Sequence, residues 1–249
     1  MFRKSIYPFF SCFQYHRLMP NQTDLEHKID TIGRHSCFGL NTRQELSTLA
    51  SKAEWLTYKR GEMIFGQGDT PKVAHIVHSG RVKVFRLSST GQAFISLIAG
   101  PFNTLNVVTC FGPNPRFFSA EALEDVRLLA IPANDFVDFV VRHPTTAKAV
   151  IVIMGKHQMS AINRVMDLIE EGVQQRILNV LTLLCNRFGS DLPLTNADLA
   201  ELAGTTRETA ARIVSRMGES GFLAKKRGRI NILDPELLKK MASDRYFFF

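Results

Sequence analysis

Residues 195–217, Thr-Asn-Ala-Asp-Leu-Ala-Glu-Leu-Ala-Gly-Thr-Thr-Arg-Glu-Thr-Ala-Ala-Arg-Ile-Val-Ser-Arg-Met, read as two short helices joined by a tight turn. Thr195 or Asn196 can cap the first, Asp198 sits in its first turn, and Leu199, Leu202 and Ala203 recur at helical spacing. Gly204 supplies the positive φ that stops it. A second helix begins after Thr206, a second cap, and Ala210, Ile213, Val214 and Met217 share one of its faces. Arg207, Glu208, Arg212 and Arg216 point elsewhere, with Thr209 beside them in the first turn. An Arg fork matches guanine O6 and N7, a carboxylate accepts from cytosine N4, and the first turns of such a helix are what enters a major groove. The alternative is a helical hairpin with a solvated charged face.

Working outward, Gly221-Phe222-Leu223 ends the helix, and Lys225-Lys226-Arg227-Gly228-Arg229-Ile230-Asn231-Ile232 reads as a basic hairpin turning near Gly228. That is a wing. Lys225, Lys226, Arg227 and Arg229 on it suit phosphates, and a winged helix-turn-helix with cations on both elements favours the DNA reading over the solvated face.

The chain has 249 residues, 45% of them hydrophobic, and a formal net charge of +8, which suits two small domains and a polyanionic partner. From residue 173 onward twelve basic residues face eight acidic ones, so the excess charge is shared with the N-terminal part. Cys12, Cys37, Cys110 and Cys185 lie far apart with no Cys-x-x-Cys pair, which argues against a zinc ribbon or a disulfide framework and for reduced thiols in a cytoplasm. No run of 18 apolar residues is present to span a membrane. Residues 1–22 read as an aromatic N-terminal extension, and the final Tyr246-Phe247-Phe248-Phe249 is a similar apolar tag.

In residues 23–142, Thr42 to Ala53 has the spacing of a short amphipathic helix, and short alternating runs broken by glycine then fill Trp55 to Ile131. The best strands are Ala74–His78, Arg81–Leu87, Ala93–Ile98 and Val126–Ile131, a pattern of an antiparallel barrel or jelly roll. Residues 143–171 change period. Val150, Met154, His157, Ala161, Val165 and Leu168 are spaced by 4, 3, 4, 4 and 3, a seam of heptad type. A helix of that length spans about 40 Å, more than a small domain needs, so pairing with a second copy explains it. Gly172 is the natural hinge into residues 172–249, where Ile177, Val180, Leu181 and Leu184 share a helix face. The fold class expected is α+β: an antiparallel β-roll sensor, a long dimerisation helix and a C-terminal winged helix-turn-helix.

Taken in this order the elements resemble the CRP/FNR family of bacterial transcription regulators. The resemblance covers about Trp55 to Leu233. It rests on Tyr58-Lys59-Arg60-Gly61-Glu62-Met63-Ile64-Phe65 with Gly68-Asp69, on Ile76 through Val84, and above all on Thr206-Arg207-Glu208-Thr209-Ala210-Ala211-Arg212. It implies a homodimer on palindromic double-stranded DNA with half-sites of TGTGA type, Arg207 and Arg212 on guanines, Glu208 on the opposite cytosine, and RNA polymerase as a further partner. Cyclic-nucleotide binders of the family carry Gly-Glu and, about ten residues on, Arg-Ser/Thr-Ala. Here those positions read Leu105-Asn106 and Arg116-Phe117-Phe118, so only the Arg survives and cyclic AMP is not expected.

The resemblance leaves an unidentified small-molecule effector, in a pocket assigned to Asn106, Cys110, Arg116, Phe117, Phe118, Met154 and His157. Phe94, Phe102, Leu105, Val107, Val108 and Phe111 are further candidate walls, or else barrel filling. The family's iron-sulfur branch needs more N-terminal cysteines than Cys12 and Cys37. Haem, as in the family's gas and nitric-oxide sensors, is the cofactor left open, with Cys110, His143, His157, Met154, His75 and His78 as candidate axial ligands. Two alternatives stand beside this: a regulator needing no effector, and a cupin-like enzyme. The second fails on ligands, because His75 and His78, three apart in a strand, point to opposite faces and cannot chelate one ion.

Overall fold

The computed structural model describes residues 22–105 and 107–243. The aromatic N-terminal stretch, Cys12, Asn106 and the Phe tail lie outside the described residues. Helix α1 (Gln22–Gly33), which the sequence pattern did not single out, and α2 (Arg43–Ala50) come first. A reciprocal capping box between Thr42 and Glu45 starts α2.

Strands β1 (Glu54–Tyr58), β2 (Met63–Phe65), β3 (Val73–Ser79), β4 (Val82–Leu87), β5 (Ala93–Ala99), β6 (Thr104–Leu105), β7 (Ser119–Ala122) and β8 (Val126–Pro132) form two antiparallel sheets, in the orders β1-β8-β3-β6 and β2-β7-β4-β5. The two faces of β3 show how the alternation is used. Ala74 and Ile76 pack outward on α1, α2 and helix α3 (Ala133–Arg142), while Val77 joins Val82, Val84, Leu105 and Leu128 between the sheets. His75 and His78 fall on opposite faces accordingly: His75 is buried against Phe65, and His78 hydrogen-bonds Thr31 at 2.9 Å. The β3–β4 turn requires glycine, because Gly80 has φ +82° and a Cβ there would collide with the Asp125 carbonyl.

Helix α4 (Pro144–Glu170) follows, opened by its proline, and α5 (Val173–Phe188) starts at Gly172. Strand β9 (Asp191–Leu192), α6 (Asn196–Ala203), α7 (Arg207–Glu219), β10 (Leu223–Lys226), β11 (Arg229–Ile232) and α8 (Pro235–Met241) complete the described chain. β9 adds to the β10–β11 hairpin, making a small sheet in the order β10-β11-β9. The molecule is an α+β protein: antiparallel β sensor, long helix, helix-turn-helix and wing.

All six residues of the seam expected on α4 line a groove on the barrel side; Val150 is buried in the core shared with α3, while Met154, Val165 and Leu168 stay exposed. A second exposed apolar stripe runs through Val152, Met159, Ile162, Met166 and Ile169, with Gly155 in line. Starting at Val152, those positions are spaced 3, 4, 3, 4 and 3, and they lie about 150° around the helix from the groove side. The helix has apolar residues on two faces because it has two clients, the barrel and the side left open. Counting the period selects the stripe that lines the groove.

The helix-turn-helix is not separate from the barrel. One core holds Phe85, Ile95 and Ile98 of β4 and β5 together with Leu199, Leu202 and Ala203 of α6, so the first helix of the pair rests on the barrel wall.

Candidate functional site

Two places carry the candidate chemistry, the surface of α7 with its wing and the groove between barrel and α4.

In the helix pair, Thr195 and Asp198 form a capping box at the start of α6, and Gly204, at φ +63°, ends it in the left-handed region. Arg176 closes the same end, donating to the carbonyls of Ala203 at 2.8 Å and Gly204 at 3.1 Å. Ala210, Ile213, Val214 and Met217 are buried, which fixes the rotation of α7 and leaves Arg207, Glu208, Arg212 and Arg216 exposed. Thr206 and Thr209 serve the helix instead: the Thr206 hydroxyl accepts from the Thr209 amide at 3.2 Å and donates to its hydroxyl at 3.1 Å. On the wing, Lys225, Lys226 and Arg227 are exposed, and the hairpin turns at Gly228 with φ +69°. Arg229 differs from the expectation. It grips Asp191 through Nε and Nη2, at 2.8 and 2.6 Å, so its charge is already matched by a carboxylate from β9, a partner the local pattern could not show.

A set of contacts ties this surface to the barrel. Lys83 of β4 reaches Asp198 at 3.3 Å and Glu121 at 3.1 Å, and Arg60 donates to the Gly228 carbonyl at 3.1 Å. Burial opposes the charge of Lys83, but Asp198 and Glu121 outweigh it and hold the ammonium pKa above its usual value. Arg164 of α4 donates to the carbonyls of Ile95 at 2.6 Å and Ser96 at 3.0 Å, stacks on Phe94, and also reaches the Leu202 carbonyl at the end of α6. Arg60 and Lys83 lie in stretches that carry the family resemblance, yet their partners across the chain are not visible in the sequence.

The groove between barrel and α4 holds 480 Å³ and is walled by Phe38, Phe94, Phe111, Phe118, Phe136, Val84, Leu97, Val107, Val108, Val150, Ile153, Met154 and His157, among others. Of the expected pocket residues it brings together Phe118, Met154 and His157, with Phe94, Val107, Val108 and Phe111 from the wider set. Cys110, Arg116 and Phe117 are not on its wall, and Asn106 lies outside the described residues. Arg116 is folded inside the barrel, 3% exposed, with its guanidinium over Phe65 and a hydrogen bond to the Val73 carbonyl at 2.6 Å. The Cys110 thiol faces the same carbonyl at 4.0 Å, and Phe117 is 42% exposed. Leu105 fills the barrel and Phe102 is absent from the groove.

Of the candidate axial ligands only Met154 and His157 reach the groove, both from one helix, so the chain offers ligands to one side of a haem iron and not a pair that clamps it. His35 lines the wall too, but its Nδ1 accepts the Cys37 amide at 3.1 Å, which leaves the proton on Nε2 where a metal would have to bind. Burial, with His157 nearby, pushes the His35 pKa down to about 4. His143 stacks on Phe139 and faces Glu45, away from the groove. Among the described residues no cluster of three metal-ligating side chains occurs, and no helix is long and apolar enough to cross a membrane.

Comparison with known proteins agrees with this geometry. Residues 55–143 match the cyclic nucleotide-binding domain family and residues 175–241 the Crp-like helix-turn-helix domain family. The chain is 28% identical over 201 residues to the cyclic AMP receptor protein of Thermus thermophilus, covering 80% of this chain and 93% of that one. It is 26% identical over 192 residues to the nitrogen fixation regulation protein FixK of Rhizobium meliloti, covering 75% and 86%. The structure of FixK2 from Bradyrhizobium japonicum, 19% identical, superimposes with a TM-score of 0.67 over 78% of this chain and 99% of that one, so the two share a fold. A β sensor of the effector-binding type, a long helix and a Crp-like DNA-binding unit are thus joined in one chain, which belongs to the CRP/FNR family of DNA-binding transcription regulators, proteins that are not enzymes.

Proposed function

We propose that this chain is a homodimeric, sequence-specific regulator that reads palindromic DNA with TGTGA-like half-sites and is controlled by an effector other than a cyclic nucleotide. The observation that carries the DNA reading is the rotation of α7: its buried stripe leaves Arg207, Glu208 and Arg212 exposed in its first turns. The exposed heptad stripe on α4 supports pairing with a second copy, which would set two such helices on successive major grooves about one helical turn apart. The effector reading is supported by the apolar groove and by Arg116, whose guanidinium is turned onto Phe65 and Val73. Selection from random duplexes tests the DNA reading. A palindrome with a GTGA core should be enriched, and Arg212→Ala should cost about 1 to 3 kcal/mol and relax preference at one base pair of each half-site. An enriched motif without that core, or one unchanged by Arg212→Ala, refutes the role given to α7.

A further inference from the structure

The groove's shape and charge narrow the chemistry of its occupant. Its α4 wall runs from Val150 to Leu168, about 27 Å at the rise of a helix. Along that length the groove holds 480 Å³. The wall is mostly phenyl and aliphatic, with Ser96, Thr104, Gln158 and Ser160 among its polar members, and no Asp or Glu is part of it. Its one permanent charge is Arg164, toward the C-terminal end. Burial lowers that guanidinium's pKa to about 10 while Asp167, on the adjoining wall, opposes the shift, so Arg164 is a cation at neutral pH. Its bonded partners are the peptide carbonyls of Ile95, Ser96 and Leu202, which are weaker acceptors for a guanidinium than a carboxylate is.

We propose that the groove binds a long-chain carboxylic acid, its hydrocarbon chain lying along α4 and its carboxylate on Arg164. This rests on reading the barrel as an effector domain and gives that effector a chemical class. The chain buries apolar surface against Phe94, Phe118 and Ile153, and the head group competes with the carbonyls of β5 and α6 for Arg164. Occupancy therefore loosens the link from α4 to Leu202 and, through α6, alters how the helix pair sits on the barrel.

Titration calorimetry on the full chain with dodecanoic acid below its micellar concentration, dodecanol, haemin and cyclic AMP tests this. Dodecanoate should bind about tenfold or more tightly than dodecanol, because only the acid forms a charge-assisted pair. Ala161→Trp, filling the groove, should abolish both. Arg164→Gln should erase the preference for the acid and keep dodecanol binding. Arg164→Lys, which retains the charge and loses the fork, should fall between, and it preserves the comparison if the glutamine variant does not fold. Equal affinity for acid and alcohol overturns the head-group assignment. No chain binding, binding indifferent to Ala161→Trp, or haemin displacing dodecanoate overturns the proposal as a whole. DNA selection on the same preparation separates the two readings: a palindrome recovered without chain binding sinks only this inference, and chain binding without a palindrome sinks only the DNA reading.

Discussion

Lys83 is the contact on which the docking of the helix pair should depend most. Its side chain is 14% exposed, that of Asp198 8%, and Glu121 completes the triad at 26%. Replacing Lys83 by Met keeps the packing of the stem and removes the cation, leaving two carboxylates in a half-closed site without their counter-charge. At 3.3 Å and an effective dielectric near 20, the lost attraction is about 5 kcal/mol, and loss of one partner from a buried pair generally costs about 3 to 5 kcal/mol. Lys83→Met should therefore lower stability by about 3 kcal/mol or more in urea unfolding. The second substitution Asp198→Asn, which retains an acceptor for the Thr195 cap, should recover part of that loss. Because the bridge joins the barrel to α6, the single variant should also bind its palindrome more tightly without effector. Unchanged urea midpoints together with unchanged DNA affinity would show that the bridge holds nothing.

Ile162→Glu, at the centre of the exposed stripe, should give monomers in light scattering by placing like charges across the two-fold axis, whereas Ala161→Glu should stay dimeric; the reverse pattern would restore the groove-facing residues as the seam. Neutralising Lys226 or Arg227 should weaken binding to all sequences alike and reduce the salt slope by about 0.9 per contact, while Arg229→Gln, already paired with Asp191, should change it less. Cyclic AMP at millimolar concentration should give no binding heat; a micromolar constant with enhanced DNA affinity would refute this. Acid should destabilise the fold, since burial, with Arg116 nearby, pushes the His75 pKa down to about 3. The unfolded chain binds that proton near pH 6.5, so the stability His75 lends is complete above about 6.5 and is lost at up to about 1.4 kcal/mol per pH unit as pH falls toward the folded value. His75→Phe should flatten the urea midpoint between pH 7 and 5, and an unaltered slope would contradict the buried neutral ring.

The parts legible in the sequence are those specified locally. The caps Thr195 and Thr206, the stop at Gly204 and the buried stripe of α7 depend on neighbours within a turn or two, and the strands from Val73 to Ala99 on simple alternation. What stayed hidden depends on partners far along the chain. The spacing on α4 shows an apolar stripe but not which of two surfaces it meets. Arg116 keeps the motif's position, yet its guanidinium stacks on Phe65, about fifty residues away, and that placement follows from barrel closure. Asp198 reads as a capping residue and is also the partner of Lys83, a pairing across 115 positions.

The wing tip has a thermodynamic corollary. The Gly228 carbonyl is held by Arg60, so a duplex lying along that turn meets the barrel at the same face. Where it displaces that contact, DNA is itself a ligand of the released arrangement. Linkage requires the exchange to be mutual: whatever factor an effector adds to DNA affinity, DNA must add to the affinity for that effector. A molecule too weak to fill the groove of the free protein at cellular concentrations can thus be captured once the protein is seated on its operator, and the genome sets part of the sensor's threshold.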